Sequence, residues 1–266
     1  MFDSGYGGLT ILDGIRALMP QFDYLYFGDN ARAPYGTRSF ELVYQFTLQA
    51  VKYLFDQGCQ LVILGCNTAS AKAMRTIQQV DLPQIDPTRR VLGVIRPTVE
   101  ALGQVSRNGH VGVFGTPGTI RSCSYNMEIA KLYPTFVTTG QECPMWVPLV
   151  ENREANGEGA DYFVKKYVDQ LLERDPDIDT ALLGCTHYPL LYPKIRQALP
   201  PHIQVVRQGD IVAQSLENYL HRHPDMAERC TRGGTCRYFT TENAEKFAET
   251  GSHFLSKTIE AEKVTL

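Results

Sequence analysis

Apolar and polar positions along this chain switch repeatedly between two periods, and each switch marks an element. Leu9, Ile11, Leu12, Ile15 and Leu18 recur at helical spacing until Pro20 stops them. Residues 22–27 alternate aromatic and aliphatic side chains as a strand does. Ser39 is placed to cap a helix over 39–57, with Gly58 as its stop. Residues 61–64 are continuously apolar, the mark of a strand buried on both faces, and a helix is expected near 69–79. The same reading gives a strand over 91–95, a helix from Pro97, a strand over 111–115 and a helix reaching about 132. Residues 136–137 and 145–147 read as short extended pieces ending at Glu151, 154–161 as a loop and 162–173 as an amphipathic helix. A second fully apolar strand over 181–184 leads to a helix over 189–199, a strand over 203–206 and a helix over 210–220. A strand over 237–240 and a helix over 243–256 close the pattern.

Strands alternating with helices predict an α/β chain with parallel sheets and right-handed crossovers. The two apolar strands end alike, in Leu64-Gly65-Cys66-Asn67-Thr68 and Leu183-Gly184-Cys185-Thr186-His187. This echo points to two pseudo-symmetric, doubly wound domains with a ligand site between them, at the carboxyl ends of the strands. The expected division is 1–94 plus 207–266 for the first domain and 95–206 for the second.

Composition narrows the function. With 43% hydrophobic and 21% charged residues in a chain of 266, a well-packed globular protein is expected. A formal net charge of −3 leaves no basic footprint for nucleic acid, and no apolar run approaches the roughly 20 residues that cross a bilayer. Phe2-Asp3-Ser4 follows Met1 at once, with no basic leader segment, so a cytoplasmic protein is expected. Its seven cysteines should then be reduced. Cys230 and Cys236 lack metal-ligand spacing even when His221 and His223 are added, and no metal is expected. Cys59, Cys123 and Cys143 read as small core residues. The turn Gly5-Tyr6-Gly7-Gly8 lacks the spacing and the lysine of a phosphate cradle, and reads as a tight turn that lets backbone approach a ligand.

A cysteine at a strand end faces the amino terminus of the next helix, which is expected to lower its pKa. Two such thiols addressing one carbon from opposite faces can invert it, one removing a proton while the other returns one from behind. Cys185 with His187 also permits a cysteine-dependent amidohydrolase, a reading that leaves Cys66 without a role.

The segments Phe2-Asp3-Ser4-Gly5-Tyr6-Gly7-Gly8-Leu9-Thr10, Gly28-Asp29-Asn30-Ala31-Arg32-Ala33-Pro34-Tyr35-Gly36, Cys66-Asn67-Thr68-Ala69-Ser70 and Gly184-Cys185-Thr186-His187-Tyr188-Pro189-Leu190-Leu191 closely resemble the glutamate racemases of the aspartate/glutamate racemase family. The resemblance implies interconversion of L- and D-glutamate without pyridoxal phosphate or other cofactor, supply of D-glutamate for peptidoglycan, and a homodimer. It marks Cys66 and Cys185 as the proton-transfer residues, with Asp3, His187 and Glu151 assisting. It marks Asp3, Ser4, Tyr35, Gly36, Asn67, Thr68, Thr116, Thr119, Thr186 and His187 for substrate. An aspartate racemase of the same family, or an inactive protein that binds an acidic amino acid, stands as the alternative. Only two residues precede Asp3, so either the true start lies upstream or the first strand is a stump with the terminal ammonium close to the site. Gln208-Gly209-Asp210 stands where many relatives read Asp-Ser.

Overall fold

The structure is a computed structural model and describes residues 1–255 and 257–266. The chain starts with β1 (Phe2–Asp3), α1 (Gly8–Leu18), β2 (Tyr24–Gly28) and α2 (Phe40–Asp56). β3 (Leu61–Leu64) runs into a helical stretch made of α3 (Asn67–Lys72), α4 (Met74–Thr76), a π-helical segment (Ile77–Asp81) and α5 (Leu82–Ile85). After β4 (Arg90–Gly93) come α6 (Ile95–Val105), β5 (His110–Gly115), α7 (Pro117–Arg121), α8 (Ser124–Leu132) and β6 (Val137–Glu142). α9 (Trp146–Glu151), α10 (Glu158–Arg174), β7 (Thr180–Gly184), α11 (Tyr192–Ala198) and β8 (Gln204–Val206) follow. The last elements are α12 (Gln208–Arg222), α13 (Pro224–Arg229), β9 (Cys236–Thr240), α14 (Ala244–Leu255) and β10 (Glu262–Lys263).

Two all-parallel sheets result, ordered β10-β9-β2-β1-β3-β4 and β6-β5-β7-β8. β1 is two residues long and central in its sheet: Phe2 pairs with Phe27 on one side and Leu64 on the other. The Met1 ammonium, however, donates to the Leu25 carbonyl at 2.5 Å and borders the cavity around Cys59, away from the two cysteine strand ends. A parallel strand carries its amino end toward the opposite edge of the sheet from its carboxyl end, which corrects the expectation that this charge sits by the site. β7 is buried along its whole length; β3 alternates between buried and half-buried positions. Each fully buried aliphatic side chain, Val62, Leu64, Leu182 and Leu183 among them, stabilises the fold by about 1.5–3 kcal/mol. α12 returns to the first sheet, where Val212, Ala213 and Leu216 pack with Leu9, Leu12 and Ile15 of α1.

Several local expectations need correction. Residues 146–151 are helical rather than extended, because Trp146 and Val150 lie one turn apart and bury together. α10 begins at Glu158, inside the expected loop, with Glu158 and Asp161 in its first turn complementing the dipole. The helix after β5 is split by Cys123, which adopts φ +55° and is exposed rather than a core residue. α13 and β10 lack a periodic signal and went unforeseen. The closing helix was expected to reach residue 256, which lies outside the described residues.

Candidate active site

Cys66 and Cys185 line one cavity of about 90 Å³ between the two domains. Each stands immediately after the carboxyl end of a sheet strand, past Gly65 and Gly184, as the matching sequences predict. Cys66 is the N-cap of α3, with its Sγ accepting from Ala69 N–H at 3.5 Å and lying 3.3 Å from Ser4 Oγ. These contacts act to lower its pKa, as expected, but they are outweighed. Burial, followed by the nearby Asp3 carboxyl, pushes the Cys66 thiol up to about 12. A six-residue helix offering one long N–H bond does not offset the lost hydration.

Cys185 has a different partner. Its Sγ lies 3.8 Å from His187 Nδ1, and His187 Nε2 lies 3.0 Å from Glu151 Oε1. Burial alone would lower the His187 pKa, but its bonds to Cys185 and Glu151 and their charges raise it to about 10. At neutral pH a buried imidazolium therefore stands beside the Cys185 sulfur, held by a carboxylate. The unforeseen α9 is what delivers Glu151 to this position.

Asp3 is fully buried and lies behind the cavity wall. Its Oδ1 accepts from Gly5 N–H at 2.9 Å, while Oδ2 finds no hydrogen-bond partner among the described residues. Burial raises its pKa, against the lowering effect of the His187 charge. A carboxyl with one free oxygen beside Cys66 can hold or release a proton there.

Ser4, Tyr35, Gly36, Asn67, Thr68, Thr116, Thr186 and His187 all line the cavity, and so does Glu151. Thr119 does not; its hydroxyl lies 3.1 Å from Thr116 Oγ1 and 3.2 Å from Thr68 Oγ1, closing a triangle of hydroxyls that joins α3 to the start of α7. No Lys or Arg lines the cavity among the described residues, so neutral donors and the His187 ring face a ligand there. Two further residues belong to the site. Asp29, fully buried, accepts from the Tyr35 hydroxyl and from Thr241 Oγ1, and pairs with Arg32 Nε at 2.7 Å. Its place in a loop dense with turn formers, within the Gly28–Gly36 segment that carries the resemblance, was the available signal. Cys143, expected in the core, is buried but lines the cavity.

The glycine turn makes the closeness of the two domains possible. A Cβ on Gly7 would stand 2.1 Å from Thr186 Oγ1 and 2.7 Å from His187 Nδ1. A larger cleft of about 440 Å³, bordered by Arg75, Arg96 and Tyr219, holds neither cysteine. The single His/Asp cluster compact enough for an ion among the described residues, His110 with Asp175 and Asp177, lies at the amino end of β5, where His110 Nδ1 pairs with Asp175 at 3.0 Å.

A model of the family described as Asp/Glu/Hydantoin racemase matches residues 10–216. The chain belongs to this family. It is 42% identical to a glutamate racemase of Ruegeria sp. (strain TM1040), over 97% of this chain and 97% of that protein. The Bacillus anthracis glutamate racemase isoform RacE1 superposes with a TM-score of 0.89 at 31% identity, over 100% of this chain and 96% of that one. The Francisella tularensis glutamate racemase, solved in complex with D-glutamate, does so with a TM-score of 0.87 at 31% identity, over 99% and 95%.

Proposed function

We propose that this chain is a cofactor-independent glutamate racemase acting by proton transfer between two thiols and the substrate Cα. The observation that carries the reading is the meeting of Cys66 and Cys185, one from each sheet, in a single cavity. Relatives that carry this name along nearly their whole length support it.

Bound glutamate presents its Cα hydrogen to one sulfur. That sulfur, as thiolate, takes the proton while the other, as thiol, delivers its own to the opposite face. One proton leaves and one arrives, so each turnover exchanges the roles of the two cysteines. Hydrogen bonds from Ser4, Asn67, Thr68 and Thr186 to the substrate carboxylates spread the negative charge that develops at Cα. Cys66, pushed up to about 12, rests as the thiol. Asp3 beside it, and the His187 imidazolium held by Glu151 beside Cys185, move protons to and from the sulfurs between turnovers. Tyr35 is held by Asp29, and Gly36 and Thr116 close the cavity at the domain seam, with Thr119 bonded behind Thr116.

The proposed domains are 1–94 with 207–266, and 95–206, supported by the membership of the two sheets. Kinship to the family extends the proposal to a homodimer that works in the cytoplasm and supplies D-glutamate for peptidoglycan.

Polarimetry of the purified protein with L-glutamate and no added cofactor is the direct test. Decay of rotation to zero is expected. Turnover of aspartate without turnover of glutamate, or binding of glutamate with constant rotation over hours, overturns the reading.

A further inference from the structure

Gln208 opens α12 where the chain crosses from the second sheet back to the first, and it is buried. Its carboxamide sits in a network that spans both domains. Asn67 Nδ2 donates to Gln208 Oε1 at 2.6 Å. Gln208 Nε2 lies 2.9 Å from Thr98 Oγ1, 3.0 Å from Tyr125 Oη and 3.2 Å from Asn67 Oδ1. Tyr125 donates its hydroxyl proton to Asn67 Oδ1 at 2.6 Å.

The polarity of this network is set at one end by a group that cannot reverse. The Thr98 hydroxyl spends its only proton on the Val94 carbonyl at 2.7 Å, so it faces Gln208 as an acceptor. Gln208 must therefore turn Nε2 toward Thr98 and Oε1 toward Asn67. Asn67 must then turn Nδ2 toward Gln208, which leaves its Oδ1 for the protons of Tyr125 and Gln208. One Asn67 N–H remains without an acceptor among the described residues, on a side chain that lines the cysteine cavity.

We propose that Gln208 is a positioning residue for glutamate: it fixes the orientation of the Asn67 amide so that one N–H, rather than the carbonyl oxygen, meets a substrate carboxylate. The inference rests on the racemase reading above. It gives a role to the Gln208-Gly209-Asp210 segment, which that reading leaves unused. A carboxylate at 208 would be acceptor-only and would face the Thr98 acceptor with another acceptor.

Four variants test this. Gln208→Leu is expected to raise the KM for glutamate on the order of tenfold, the size of one hydrogen bond to a charged group, and to lower kcat less. Made in an Asn67→Ala background, the same change should leave KM where Asn67→Ala alone put it, because Gln208 acts through Asn67. A folded Gln208→Leu protein with KM within twofold of the parent, or the same rise in the Asn67→Ala background, overturns the inference. Should Gln208→Leu fail to fold by circular dichroism, Gln208→Glu decides. Its protonated form can still donate, so its KM relative to the parent should climb with pH; a ratio independent of pH refutes the proposal. A parent protein that does not racemise glutamate overturns the functional reading itself, whereas an active parent with an indifferent position 208 overturns only this inference.

Discussion

Gly7 offers a sharp test of how the site is assembled, because its need for glycine is purely one of space. Its backbone sits at φ −58° and ψ −37°, a conformation open to any residue. A methyl group there would nevertheless lie 2.1 Å from Thr186 Oγ1, 2.7 Å from His187 Nδ1 and 2.8 Å from Thr186 Cβ. Carbon at ordinary contact needs about 3.5–4.0 Å, so the Gly5–Gly8 turn and the loop after β7 must separate by on the order of 1 Å. Overpacking of that kind costs about 1–3 kcal/mol of stability. The catalytic cost should be larger in effect, since a misplacement of about 1 Å lowers a positioned reaction by on the order of 100-fold. The moving loop carries His187, the partner of Cys185, and the turn follows Asp3 and Ser4, the neighbours of Cys66. The control is Gly58→Ala, where φ is +90° and nothing lies within 4 Å of the new carbon. It should lose about 1 kcal/mol through backbone strain alone and keep its kcat. Racemisation followed by circular dichroism, with a melting curve for each variant, separates the two. If Gly7→Ala keeps full kcat with the melting temperature of the parent, the two loops are not in the tight register described.

Three other outcomes follow from the same geometry. Cys66→Ala and Cys185→Ala should each lower racemisation by about 1,000-fold or more, and in deuterated water the parent should place solvent label mainly in the converted enantiomer; full activity in either variant rejects the two-thiol scheme. Glu151→Gln removes a charge that helps hold the His187 proton, so His187 should fall from about 10 toward its ordinary value and the alkaline limb of the kcat/KM profile should move to lower pH, an unmoved limb being the contrary result. Folding stability should decline with rising alkalinity. His187 goes from 6.5 when unfolded to about 10 when folded, so its contribution is complete below 6.5 and lost as pH rises through 10. The Cys66 thiol, raised from 9.0 to about 12, adds a second loss between those values. Denaturant titrations from pH 6 to 11 on the parent and His187→Gln should show the first loss missing from the variant.

The residues with local signals were readable from the chain, and the residues defined by distant partners were not. A continuously apolar strand followed by Gly-Cys carries its own evidence, so both strand-end cysteines and the parallel sheets were visible without coordinates. The terminal contacts of α9 were hidden because a six-residue helix begun after Pro144 shows no helical period. Asp29 and Gln208 were hidden for a different reason. Each earns its place through partners more than 100 positions away: Thr241 for Asp29, and Thr98 and Asn67 for Gln208.

The thiol chemistry shows why this distinction bears on function. The local reading of Cys66, a sulfur at a helix start, called for a lowered pKa. That effect is present as the Ala69 N–H, yet it is outweighed by burial and by Asp3, contributed by β1 from elsewhere in the chain. On the other side of the cavity, Cys185 receives an imidazolium from its own loop and, through it, a carboxylate from α9. Two strand ends that look alike in sequence thus place unlike groups beside their sulfurs, a carboxyl beside one and a cation beside the other. A racemase by paired thiols needs one sulfur protonated and the other not at the moment of reaction, because only a thiol facing a thiolate can invert a carbon in one passage, and unlike neighbours favour that mixed state.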